Sequence, residues 1–290
     1  MRLLAFGEIL FDCYPDKRFL GGAPLNLAAH AVRCGAEAFL LSAVGEDEAG
    51  QAAIDGAKAF GVRTDFIQTV SGFPTGYCQI TLDENALPSY DLAEHVAYDH
   101  IPLPAFDRDT PFDLLSFGTL SLREEDNRRT LKKLLDLRIC REVFADLNLR
   151  PPFDSENAVC FALEQATILK INREEADVLA DLFSLEKAKG FDVLLTQLQE
   201  RFPRLKLLLL TLGAEGSVAR DCLSEQFFTA KATPARLVST VGAGDSYSAS
   251  FLTRLFAGAS IPDAMALASK ISAHVVSFPE AVPNQIPDFI

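Results

Sequence analysis

Hydrophobic residues along this chain gather in short unbroken runs, set apart by longer stretches in which apolar positions recur with helical spacing. The runs are LLAFGEIL at 3–10, AFLLSAV at 38–44, DLLSFG at 113–118, EVFADLN at 142–148, TILKIN at 167–172 and KLLLLTLG at 206–213. Runs without polar alternation mark strands covered on both faces. Asn26 to Cys34, Ala49 to Phe60, Glu124 to Leu137 and Glu174 to Phe183 carry the helical spacing between them. Strands alternating with helices predict a mostly parallel sheet with helices on both sides. Ligands of such sheets bind outside the carboxyl ends of the strands.

One region breaks the alternation. From Thr75 to Ile101, Tyr77, Gln79 and Thr81 alternate with Cys78, Ile80 and Leu82, and polar turns are expected at Asp83 to Ala86. A period of two predicts short strands, here a small sheet inserted beside the main body as a lid. No flexible linker, low-complexity tract or internal repeat divides the chain.

The 290 residues are 49% hydrophobic and 23% charged, which suits a globular α/β core and argues against disorder. A net charge of −13 argues against a nucleic-acid partner, although a few backbone amides bind phosphate without net positive charge. The six cysteines (Cys13, Cys34, Cys78, Cys140, Cys160, Cys222) form no CxxC pair, so reduced and mostly buried thiols in a cytosolic protein are expected. The four histidines (His30, His95, His100, His274) lack metal-ligand spacing. Only five uncharged residues separate Arg2 from Glu8, too few for a signal-peptide core. Leu207–Gly213 is too short to span a bilayer. A soluble, cytoplasmic protein without a membrane partner is the expectation.

Two glycine pairs carry the candidate chemistry. STVGAGDSYSASFL at 239–252 places Gly242 and Gly244 around Ala243, ahead of a helix whose apolar face is Tyr247, Phe251 and Leu255. Glycines permit close backbone approach, and a helix N-terminus presents unpaired N–H groups, so this turn suits an anion. Asp245 in the first turn is either a functional carboxylate beside that anion or a helix cap. No GK[ST] follows, and Tyr247 holds the place of a third glycine, so neither a Walker A loop nor a dinucleotide fingerprint is present. FLGGAPLNLAAHA at 19–31 pairs Gly21 and Gly22 with Asn26, neutral groups that suit a hydroxyl-rich ligand. Asp12 is either an acceptor of sugar hydroxyls or an ordinary surface residue. Glu8 and Asp12 share a strand face, which alone does not make them a glycosidase pair.

Together these stretches closely resemble the ribokinase-like (PfkB) family of carbohydrate kinases. Its signature GG-x-x-x-N-x-A is met by Gly21, Gly22, Asn26 and Ala28. Its D-T-x-G-A-G-D signature is met by Thr240, Gly242, Ala243, Gly244 and Asp245, with Ser239 in the first position. GEILFD, VGEDEAGQ, FADLNLRPPF, LKINREEADVL and LLLTLGAEGS follow in the family's order, and GGAP and DLNLR look most like bacterial fructokinases. The resemblance implies one domain over residues 1–290 with a three-layer α/β/α ribokinase-like fold. The central sheet would be mostly parallel, with a small β-sheet lid formed mainly by about 75–101 and part of 12–20.

The resemblance also assigns roles. Asp245 becomes the catalytic base, and the Gly242, Ala243 and Gly244 backbone an anion hole for the moving phosphoryl group. Asp12, Gly22, Asn26 and Arg150 would bind the sugar. Asn172, Thr211, Gly213, Gly216 and Ser269 would bind the nucleotide, with Glu175 organising magnesium through water; without the resemblance Glu175 would read as a solvated helix-face carboxylate. The implied activity is ATP-dependent phosphorylation of a primary hydroxyl of a monosaccharide, fructose foremost. Ribose, 2-keto-3-deoxygluconate and nucleosides are the alternative acceptors, and a catalytically silent sugar- or nucleotide-binding protein the alternative class. Ser239 stands where many relatives hold a monovalent cation (K+) with an aspartate, Ser269 where an asparagine borders adenine, and Glu280 where a glycine precedes alanine. Potassium activation and adenine recognition are thereby left open. A homodimer through the lid sheet is an arrangement the family sometimes uses.

Overall fold

The computed structural model describes residues 1–82, 88–107 and 109–287. The strands are β1 (Arg2–Phe6), β2 (Leu10–Cys13), β3 (Arg18–Gly21), β4 (Glu37–Gly45), β5 (Ile67–Val70), β6 (Gly76–Leu82), β7 (Pro88–Leu92) and β8 (Phe112–Phe117). They continue with β9 (Cys140–Asp146), β10 (Ile168–Asn172), β11 (Leu207–Thr211), β12 (Ser217–Asp221) and β13 (Gln226–Ala230). The helices are α1 (Ala23–Arg33), α2 (Glu48–Ala59), α3 (Glu125–Asp136), α4 (Glu156–Gln165), α5 (Arg173–Phe183), α6 (Phe191–Arg201), α7 (Ala243–Phe256) and α8 (Ile261–Val275).

Every apolar run supplies a strand of one sheet ordered β13-β12-β11-β10-β9-β8-β1-β4-β5, the first of them ending at Phe6 rather than at Leu10. Its pairings are parallel except at β11–β12 and β12–β13, where a hairpin extends the edge. Side chains alternate between two cores. Leu3 and Ala5 of β1 meet α1, α2, α7 and α8, while Leu4 and Phe6 meet α3, α4, α5 and α6. That two-sided burial is why the runs lack polar alternation. The chain winds away from β1 in both directions, so a topological switch point lies beside it at the carboxyl edge.

A second sheet of order β3-β2-β6-β7 forms the small layer expected beside the main body. It begins earlier than the sequence pattern marks, at Leu10, because the chain leaves β1 directly into β2. It also ends earlier, at Leu92: Ala97–Asp99 form a 3-10 turn whose Tyr98 is buried under the sheet with Leu10, Cys78 and Ile80. The turns expected at Asp83 to Ala86 lie outside the described residues. Of the six free cysteines only Cys78 and Cys222 are buried; the other four are half-buried, fewer covered thiols than expected, because they lie at element ends and helix rims. No helix among the described residues is long and apolar enough to cross a membrane.

Candidate active site

Gly242 is the N-cap of α7, held in the left-handed region at φ 77. No side chain caps this helix, so Asp245 does not do the capping work that its position in the first turn allows. Its Oδ2 instead accepts a hydrogen bond from Asn26 Nδ2 at 2.8 Å, across 219 residues of sequence. Burial pushes the Asp245 carboxyl up to about 6, opposed by the Asn26 bond and by the charges of Lys170 and Arg150. Ala243 N–H is turned back to the Thr240 carbonyl at 3.2 Å, whereas Gly244 and Asp245 lie in the first turn, whose N–H groups lack intrahelical acceptors.

At the other glycine pair, a Cβ at Gly21 would stand 2.9 Å from Asp12 Oδ2, so the Asp12 carboxylate lies over the pair. Gly22, at φ 110, leads into α1 with no room for a side chain, since a Cβ would collide with the Glu8 carbonyl. Asp12 is half-buried, and desolvation is the chief cause that pushes its carboxyl up to about 6. It is therefore no ordinary surface residue. Arg150 is exposed just beyond β9, and its charge acts on Asp12, Glu8 and Asp245 alike. The structure thus brings Asp12, Gly22, Asn26, Arg150 and Asp245 around one space.

Two charged residues without an assigned role belong to the same place. Glu8, 3% exposed, follows β1 at the switch point; burial and then Asp245 push its carboxyl up to about 7, and its Oε2 has no hydrogen-bond partner. Lys170, inside β10, pairs with Asp146 of β9 at 3.0 Å, and Ser248 of α7 donates to the other Asp146 oxygen at 3.3 Å. Burial alone would lower the lysine pKa, but Asp146 and Glu175 outweigh it and raise it. Lys170 Nζ lies 3.2 Å from where a Cβ on Gly244 would stand, directly under the glycine turn. The sequence held one signal for it: a lone charge inside a strand covered on both faces must find a buried partner.

The remaining candidates line the carboxyl edge further along. Asn172 ends β10 in register with Thr211 at the end of β11. Asn172 and Glu175 form a reciprocal capping box for α5, both bonds at 2.8 Å, and the second Glu175 oxygen accepts from Leu149 N–H at 3.0 Å. Glu175 is thus buried rather than solvated, and both its oxygens are taken up by backbone, which does not fit a direct metal ligand. Among the described residues no group of three His, Cys, Asp or Glu side chains could hold a metal ion. Gly213 and Gly216 form the 3-10 turn between β11 and β12, and Gly216 abuts the Ala230 carbonyl too closely for a side chain. Ser269 of α8 is engaged by the segment after β13, accepting from Thr233 N–H at 2.7 Å. Ser239 Oγ accepts from Val241 N–H at 3.2 Å, a bond local to the turn.

Comparisons with known proteins bear on this arrangement. A family model described as pfkB family carbohydrate kinase matches residues 7–287. A 5-dehydro-2-deoxygluconokinase of Listeria innocua serovar 6a is 26% identical over 279 residues, covering 90% of this chain and 81% of the relative. Fructokinase-2 of Solanum habrochaites is 26% identical over 278 residues, covering 87% and 81%. Among solved structures, a fructokinase from Xylella fastidiosa with bound ATP superposes with a TM-score of 0.84 at 21% identity, over 97% of this chain and 94% of that one.

Proposed function

The chain belongs to the pfkB family of carbohydrate kinases, and from that premise we propose that it moves the γ-phosphoryl group of Mg-ATP onto a primary hydroxyl of a monosaccharide, with fructose as acceptor. The observation that carries this reading is the 2.8 Å bond between Asn26 and Asp245, which joins the two glycine-led segments into one site. Asn26 occupies one Asp245 oxygen and leaves the other to accept the attacking hydroxyl. Asn26 Oδ1 and Glu8 Oε2 are buried acceptors without partners, and hydroxyl donors of a sugar would satisfy such atoms.

For the phosphoryl group, the amides of Gly242 and Gly244 supply fixed donors where negative charge develops, and the Lys170 ammonium beneath them adds a cation already held by Asp146. Magnesium arrives with the nucleotide as part of the substrate; Asn172 and Glu175 shape the corner beside the phosphates, and the turn at Gly213 to Gly216 borders the nucleotide with Thr211. The lid sheet closes over the acceptor and excludes water, which otherwise competes for the phosphoryl group. A second acceptor class has a specific observation behind it: the Arg150 charge acts on Asp12, and a guanidinium suits the carboxylate of a sugar acid such as the substrate named for the Listeria relative.

Coupled ADP release with Mg-ATP tests the reading across fructose, ribose, 5-dehydro-2-deoxygluconate, 2-keto-3-deoxygluconate and nucleosides, with and without potassium. Preference for fructose supports the proposal in full. Preference for a sugar acid keeps the chemistry and moves the acceptor to Arg150. Folded protein that turns over none of them returns the chain to a binding role.

A further inference from the structure

Helix α1 reaches the N-terminus of α7 twice. Asn26 holds Asp245, and one turn later on the same face stands His30, 2% exposed. His30 Nε2 donates to the Ala281 carbonyl at 2.8 Å; a carbonyl only accepts, so this nitrogen carries the proton. Burial, ahead of the Arg33 and His274 charges, holds the imidazole down at about 4, so the ring is neutral over the working range of a kinase.

Ala281 in turn lies against the glycine turn. A Cβ on Gly242 would stand 2.5 Å from Ala281 O, 2.7 Å from its Cα and 2.9 Å from its Cβ. Nothing but hydrogen fits between them, so wherever Ala281 is held, Gly242 is held. Ser272 of α8 steadies the far side of the turn through the Ala243 carbonyl at 3.1 Å, and Ser239 N–H meets the Val276 carbonyl at 3.2 Å. His30 adds the tie from α1, the helix that also aims the base.

We propose that His30 is a positioning residue for phosphoryl transfer: by fixing Ala281 against Gly242 it sets the anion-hole amides at their working distance from Asp245. Base and donors are thereby placed from one rigid element, and catalytic donors lose most of their effect when misplaced by about 1 Å. The inference rests on the kinase reading above, with its own readout in the placement of the turn. His274 supplies the comparison, since its Nε2 meets the Gln285 carbonyl at 3.0 Å, four residues beyond Ala281.

The test compares His30→Met, which fills the space without a donor, His30→Gln, which restores one, and His274→Ala, all in the full chain. Steady-state ADP release is measured against sugar and Mg-ATP, and amide hydrogen exchange is followed over residues 239–246. His30→Met is expected to lower kcat roughly 10- to 100-fold with sugar KM within about twofold, and to speed exchange at Gly242 to Gly244. His30→Gln recovers most of both, and His274→Ala changes neither. Unchanged exchange and kcat in His30→Met overturn the proposal, as do equal losses in the Met and Gln variants or a loss confined to sugar KM. If the wild-type chain phosphorylates no sugar, the kinase reading falls, and exchange at Gly242 to Gly244 still decides whether His30 places the turn.

Discussion

At Asp245 burial and hydrogen bonding pull in opposite directions, and the balance leaves a carboxyl that ionises near pH 6. A base must be ionised to orient the attacking hydroxyl, so kcat/KM should fall as pH drops through about 6. Asp12 titrates in the same range and Glu8 somewhat above it, so the observed limb belongs to the group rather than to one residue. Asp245→Asn should lower turnover roughly 10²- to 10⁴-fold with the fold retained, and near-normal turnover would remove Asp245 from the mechanism. Glu8 yields a prediction about stability. Its carboxyl rises from 4.5 to about 7 on folding, so the folded chain binds this proton more tightly than the unfolded one. That advantage is complete below about 4.5 and is lost as pH rises through 7, leaving a buried charge that costs up to about 3 kcal/mol at pH 8. Glu8→Gln should therefore raise the urea midpoint at pH 8, with the gain shrinking below about 1 kcal/mol at pH 5; equal midpoints at pH 8 would show that the charge is accommodated. Glycine spacing and residue type made Asp245, Asn26 and Gly22 legible in the sequence. Glu8 was set aside because its environment comes from segments remote in sequence, which no local pattern records.

Among the elements, most of those buried on one clear face or on both were legible, α8 excepted, and those at the rim were not. β4, β8, β9, β10 and β11 follow the apolar runs within a residue or two, β1 ends four residues before its run does because Leu10 opens β2, and α1, α2, α3 and α5 follow the helical spacing. β5, α4, α6, α8 and the hairpin of β12 and β13 were not marked; half-covered positions weaken the contrast between faces in all but α8, which buries Ala264, Met265, Ala268, Ile271 and Val275. α7 is apolar on one face as expected, yet Ser246, Ser248 and Ser250 are fully buried as well, because the helix lies between α1, α8 and the sheet. The start of α5 separates two uses of one motif. Asn172 and Glu175 match a ligand pattern, but here they cap the helix. Asn172→Ala should cost about 1 kcal/mol in urea unfolding, the usual worth of such a cap. A rise in the KM for Mg-ATP without that loss would instead make the asparagine a nucleotide ligand.

For the molecule as a whole, the second sheet joins the main body at Gly7 to Ile9, at Gly22 before α1 and at the segments leading into β6 and out of β7, and as the lid proposed above it would carry Asp12 along with β2. Saturating sugar should then slow amide exchange in β2 and β6 while leaving β4 and β9 unchanged; uniform protection would mean general stabilisation without closure. The largest consequence of the architecture comes from the Asn26–Asp245 bond. Asn26 precedes Asp245 by 219 residues in the chain, so α1 is synthesised well before the helix it must meet. Under the roles proposed above, a growing chain that lacks α7 would hold Asp12, Gly22 and Asn26 with no means of transferring phosphate, and it would become competent only when α7 docks on α1.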